Sequence, residues 1–177
     1  MRGMIFTELL ELIEEKFGYD KLDEVIDASG LDNDGAYSAT GNYPFDELVK
    51  IVVSLSEQTE IPVPALLEVY GEHLFPKLIK VLPAFGKDAD ILQFVESVEN
   101  HIHVQVRKLY PDAELPTFEL VSSSDDLLKF YYVSSKKIPQ LAKGLIIGAS
   151  KHFNQPVNVE FTEAEDGKFL FTVSKID

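Results

Sequence analysis

The chain has 177 residues, 30 acidic against 16 basic, and a formal net charge of −14. That balance excludes the Lys/Arg clusters that hold nucleic acid or an anionic membrane surface. Hydrophobic residues make up 45%, enough for a substantial core, and the lack of cysteine excludes disulfides, thiolate catalysis and Cys-ligated metal centres.

The N-terminal stretch reaches Glu8 without an apolar signal segment, and the strongest apolar run, Leu145 to Ala149, is too short to cross a bilayer. A cytoplasmic protein is expected. Met4 to Phe17 carries Ile5, Leu9, Leu10, Ile13 and Phe17 at helical spacing, and Gly18 stops it. A short segment from Lys21 to Ala28 ends at Gly30, and Asp32 to Asn42 reads as loop. Asp46 to Ser56 is a helix with Leu48, Ile51, Val52 and Leu55 inward. Pro62 and Pro64 open another through Tyr70 toward Leu74, which Pro76 is expected to break or kink. Lys77 to Leu82 adds a turn or two, and Asp88 is expected to cap a long helix ending at Tyr110-Pro111.

The last third changes character. Thr117 to Val121 and Leu127 to Val133 are β-rich, and Pro139 to Phe153 is a helix. Val157 to Thr162 and Phe169 to Val173 flank the hairpin signal Asp166-Gly167. The order predicts an α+β fold: a helical N-terminal part, then β-β-α-β-β with a four-stranded antiparallel sheet. No Gly-rich phosphate loop, serine elbow or carboxylate pair in an apolar pocket marks an enzyme.

Histidine is sparse, and His103 stands out. On a regular helix from Asp88 to Tyr110, with Leu92 at zero, His103 falls near 20°, at the edge of the apolar arc. Ile102, Val95, Val106, Leu109 and Tyr110 share that arc. His101 falls near 180°, so His101 and His103 cannot share one metal there. His73 and His152 have no visible partners and read as structural. Downstream, Tyr132, Ser134 and Lys136 emerge on one face if the strand persists that far, and all are hydrogen-bond donors suited to carboxylates.

These residues together resemble the haem–nitric oxide/oxygen binding (H-NOX) family, bacterial relatives of the soluble guanylate cyclase haem domain. The resemblance covers the chain from Met-x-Gly-x-Ile at residues 1–5 to the final hairpin. His103 with Tyr110-Pro111 looks like the proximal-ligand helix, and Pro116 like the proline that presses on the haem. Tyr132-x-Ser134-x-Lys136 looks like the Tyr-x-Ser-x-Arg propionate clasp, and Gly144-Leu145-Ile146-Ile147 like the glycine-containing helix beside the haem. Lys136 departs from the pattern: lysine keeps the charge but loses the bidentate fork of arginine.

The resemblance implies one domain, residues 1–177, with a helical part at 1–60, a haem-ligating part at 61–177 and haem b between them. His103 is then the axial iron ligand. In oxygen-binding relatives a tyrosine donates to the bound gas; here Leu141 stands at that position, and Leu145, Ile5 and Leu9 complete an apolar lid. The expectation is a sensor that takes nitric oxide and carbon monoxide but does not hold oxygen stably. Tyr70 would overturn this if its phenol entered the distal side. Nitric oxide is expected to loosen the His103–iron bond and let the haem relax against Ile5 and Pro116. A histidine kinase, or a diguanylate cyclase or phosphodiesterase of cyclic di-GMP, is the expected reader. Apart from the resemblance, the residues also allow a haem-free module that binds an apolar ligand or a partner's helix.

Overall fold

The computed structural model describes residues 1–81 and 89–176. Helix α1 is Gly3–Phe17, α2 Tyr19–Ser29, α3 Phe45–Thr59 and α4 Val63–Val81. Then come α5 (Ile91–Ser97), a π-helical segment (Val98–Ile102) and α6 (His103–Leu109). Strands β1 (Thr117–Ser123) and β2 (Leu127–Val133) precede α7 (Pro139–Phe153), and β3 (Val157–Glu163) and β4 (Phe169–Lys175) close the chain. The expected α+β architecture is present, with one antiparallel sheet in the order β1-β2-β4-β3.

Local chemistry explains most boundaries. Helix α1 buries Phe6, Leu9, Leu12 and Ile13, one stripe of a helix. Asp46 and Glu47 complement the positive end of α3. Pro139 starts α7, where its missing N–H costs nothing, and Asn154 ends it in the left-handed region. The β3–β4 turn places Asp166 and Gly167 at φ 60° and 72°, as the Asp-Gly signal requires.

Two expectations need correction. Asp90, not Asp88, caps α5: its Oδ1 accepts the N–H groups of Leu92 (2.9 Å) and Gln93 (3.2 Å). Asp88 lies outside the described residues. Helix α4 is not broken at Pro76, which lies inside it. Tertiary packing outweighs the interior-proline penalty of about 3 kcal/mol. Helices α4 and α7 cross with their backbones almost touching. A Cβ on Gly144 would sit 2.0 Å from the Glu68 carbonyl oxygen, and one on Gly71 would sit 2.4 Å from that of Leu141. Only glycine permits this approach.

The apolar interior forms two cores. One gathers Phe6, Leu9, Ile13, Leu48, Ile51, Tyr70 and their neighbours among α1, α3 and α4. The other joins α5, α7 and the inner face of the sheet. Leu145 packs against both. Across the sheet runs a row of stacked rings. Phe161 meets Phe171 at 5.1 Å, Phe171 meets Phe130 at 5.2 Å, and Phe130 meets Phe118 at 4.6 Å. The row ends edge-on at His103, 5.6 Å from Phe118. The sheet therefore fixes one side of the histidine.

Candidate functional site

His103 opens α6 directly after the π-helical turn and is 7% exposed. That turn was not legible from the apolar period. It inserts extra residues per turn and shifts the phase of everything after it. Ile102 and His103 are consequently both buried, while Leu109 and Tyr110, expected on the same apolar arc, are exposed. His101 is exposed, as its opposite position predicted.

Glu99 orients the imidazole. Its Oε2 lies 3.0 Å from His103 Nδ1 and also accepts the Phe118 N–H at 3.1 Å. Its other oxygen takes Arg107 at 3.4 Å. The carboxylate is thus fixed from a helix and from a strand. Burial alone would raise its pKa, but His103, the Phe118 N–H and Arg107 together hold it below the usual range. Burial lowers the pKa of His103, and the pull of Glu99 only partly offsets this. The ring is therefore neutral at pH 7, with its Nδ1 proton directed at Glu99. Among the described residues nothing bonds to Nε2. A neutral, buried imidazole with a carboxylate on one nitrogen and the other free is the arrangement of a metal-ligating histidine.

Tyr132, Ser134 and Lys136 are brought near one another by a turn and not by strand parity. Strand β2 stops at Val133. Ser134 Oγ then accepts the Lys136 N–H at 3.2 Å, which folds the chain back. Tyr132 is 3% exposed, and burial raises its phenol pKa against the smaller opposing effects of Ser134 and the Ile138 backbone. Lys136 Nζ pairs with Glu114 at 2.7 Å. Pro116 is half-buried just before β1. Glu99 and Glu114 were not singled out in the sequence. The four-residue step from Glu99 to His103 was a usable signal, whereas Glu114 meets Lys136 only through the fold.

Leu9 and Leu141 are buried, Ile5 is half-buried, and all pack in the N-terminal core, with Leu145 bridging to the other. Tyr70 is fully committed: its hydroxyl donates to the Ile5 carbonyl in a short hydrogen bond. A half-open groove of about 430 Å³ shares Lys136 with the set of Tyr132, Ser134 and Lys136 and is otherwise lined by residues including Phe45, Val49, Val53 and Pro64, but not by His103.

A family model described as Haem-NO-binding matches residues 2–161. The chain belongs to that family. This H-NOX chain is similar to the Fe(II) unliganded H-NOX protein from K. algicida, with 36% identity and a TM-score of 0.92, over 100% of this chain and 97% of that one. It is also similar to the H-NOX from Shewanella woodyi, solved with IWP-051 in the Fe(II)CO state. There the identity is 33% and the TM-score 0.83, over 99% of this chain and 95% of that one. The S. oneidensis H-NOX in the Fe(II)NO state shares the fold at 20% identity and a TM-score of 0.85, over 100% of both chains. No curated protein matches. The family is one of gas-sensing domains and is not catalytic by itself. No described helix of this H-NOX chain is long and apolar enough to cross a membrane.

Proposed function

We propose that the chain is a haem-based sensor that binds nitric oxide and carbon monoxide and does not hold oxygen stably. The observation that carries this is His103: neutral, buried, held by Glu99 through Nδ1 and open at Nε2. The proposed cofactor is haem b, held between residues 1–60 and 61–177 of a single domain, and the donor chemistry of His103, Tyr132, Ser134 and Lys136 suits it. Bound there, the haem would supply a ferrous iron that takes a diatomic gas.

His103 Nε2 would hold the haem iron, and Glu99, bonded to Nδ1, fixes the imidazole's tautomer. Tyr132, Ser134 and Lys136 are the proposed propionate partners, with Lys136 giving up Glu114 to reach a carboxylate. Lysine brings a point charge and not a planar fork, so it neutralises without fixing orientation. Pro116 supplies an apolar wall on the His103 side.

Ile5, Leu9, Leu141 and Leu145 offer no hydrogen to a bound gas. Tyr70 has one hydroxyl proton, and the Ile5 carbonyl takes it. Burial raises its pKa, so the phenol keeps that proton. Bound oxygen carries partial negative charge and needs a donor far more than nitric oxide or carbon monoxide does. That asymmetry supports the gas selection.

Residues 1–177 carry no kinase or cyclase motif of their own. A histidine kinase or a cyclic-di-GMP enzyme is the proposed reader, and a soluble cytoplasmic setting suits it. The decisive experiment is the absorption spectrum of the reduced protein before and after nitric oxide, then in air. A Soret band that shifts with nitric oxide and is absent or unligated in His103→Ala is expected. A haem-free protein, or a stable oxygenated spectrum, overturns the reading.

A further inference from the structure

A second histidine has an unfinished environment. His73, on α4, faces Glu8 and Glu15 of α1. Its Nε2 and Glu8 Oε2 are both buried without a hydrogen bond and lie 3.6 Å apart. Glu15 Oε2 faces the other ring nitrogen, Nδ1, at 3.8 Å. Glu8, Glu11 and His73 each offer one ligand atom, and the three atoms lie within 4.8 Å of one another. Lys77 Nζ stands beside them, hydrogen-bonded to Glu11 at 2.8 Å and 3.1 Å from Glu8. Sequence reading set His73 aside because Glu8 and Glu15 are distant in the chain.

The spacing has a physical basis. Glu8, Glu11 and Glu15 recur at three and four residues, so they line one face of α1, and His73 and Lys77 repeat one turn apart on α4. Lys77 pairs by charge with that same Glu8 oxygen, yet neither this oxygen nor the His73 nitrogen facing it makes a hydrogen bond. Buried polar atoms are rarely left so, because each has given up its water partners without a replacement.

We propose that Glu8, Glu11 and His73 form a divalent transition-metal site, with zinc as the ion of matching chemistry, that staples α1 to α4. Zinc bonds of about 2.0 Å in a tetrahedron set ligand atoms roughly 3.3 Å apart, close to the Glu8–His73 separation. The mixed nitrogen and oxygen donors select zinc over magnesium or calcium, which take oxygen alone. Glu15 closing on Nδ1 would hold the ring with Nε2 toward the metal, the role Glu99 plays for His103. Lys77 is the resident cation that the metal displaces. The staple joins the stretches of α1 and α4 that carry Ile5, Leu9, Tyr70 and Leu74. The site uses neither His103 nor the haem reading, so its test stands apart from that one.

The test is calorimetric titration of chelator-treated full-length protein with zinc chloride, with thermal melts alongside. One equivalent is expected, and a hundredfold excess over Kd raises the melting temperature by roughly 5–10 °C. His73→Gln and Glu8→Gln keep side-chain size and each weaken binding about tenfold or more, since both remove a first ligand. Lys77→Met removes the competing charge and tightens binding by about tenfold. This last variant separates a metal site from a salt-bridge network, which loses stability with Lys77 and gains no zinc affinity. Binding that survives both ligand substitutions places the ion on other groups, such as His101 or His152, and overturns the proposal. So does an absence of zinc binding below millimolar concentration.

Discussion

Glu99 reaches His103 Nδ1 at 3.0 Å across a π-helical turn, and the same oxygen takes the Phe118 N–H from β1. One carboxylate therefore ties the proposed iron ligand to the sheet. Glu99→Gln should leave the fold intact while removing the charge that orients the imidazole. Haem affinity is expected to fall by about 10- to 100-fold, the usual cost of losing such a partner. Haem transfer to apomyoglobin, compared between variant and parent, measures it. Equal transfer rates would show that Glu99 serves only the Phe118 N–H.

Leu141 tests gas choice from the opposite side. It is 8% exposed on α7, in the core that also holds Leu9 and Tyr70. Leu141→Tyr adds a phenol where the described apolar residues offer no proton. A reduced variant that forms a stable oxygenated spectrum in air, with the parent forming none, is the expected outcome. The larger ring should lower stability by about 1–3 kcal/mol through overpacking. An unchanged air spectrum would mean that the position is not within reach of the gas.

Gly144 carries the α4–α7 crossing. Its Cβ would meet the Glu68 carbonyl oxygen at 2.0 Å, and neither atom is on a flexible side chain. Gly144→Ala must therefore separate two helix backbones. A loss of about 1–3 kcal/mol is expected, or roughly 2–12 °C in melting temperature for a chain this long. The shift should propagate to Leu145, which touches both cores. A melt equal to the parent's would show that the crossing relaxes at no cost.

Much of this was legible in the sequence, for identifiable reasons. Periodicity marked α1, α3 and α7, and the Asp-Gly pair marked the β3–β4 turn, because these signals are local. The π-helical turn was not legible, since a helical wheel assumes constant pitch and gives no place for a phase shift. Pro76 misled because its local cost is outweighed by the glycine contacts of α4 with α7, which depend on residues about seventy positions apart. At the candidate site the wheel put His103 at the edge of an apolar face, and the residue is buried. Tyr132, Ser134 and Lys136 were grouped for the wrong geometric reason, a strand that in fact ends at Val133. Glu114 and the Glu8–His73 facing pair arise only when distant segments meet.

Asp90 gives a prediction about acid. It caps α5 and pairs with Lys175 of β4 at 2.6 Å, so it joins the helix before His103 to the last strand. Burial by itself would raise its pKa, but Lys175 and the N–H groups of Gln93 and Leu92 more than offset that and lower it. A carboxyl depressed in the folded state binds protons more readily when unfolded. Its stabilisation is therefore fully present above the unfolded pKa, near 4, and is lost as pH falls through the lower folded value. Asp90→Asn keeps an oxygen for the cap but cannot titrate. At pH 7 the variant should be less stable by about 0.2–1 kcal/mol, the range of a partly exposed pair. The gap should narrow as the pH is taken from 5 to 3, where the parent loses its advantage. Urea unfolding of both proteins across that range measures it, and a gap independent of pH would assign the role of Asp90 to capping alone.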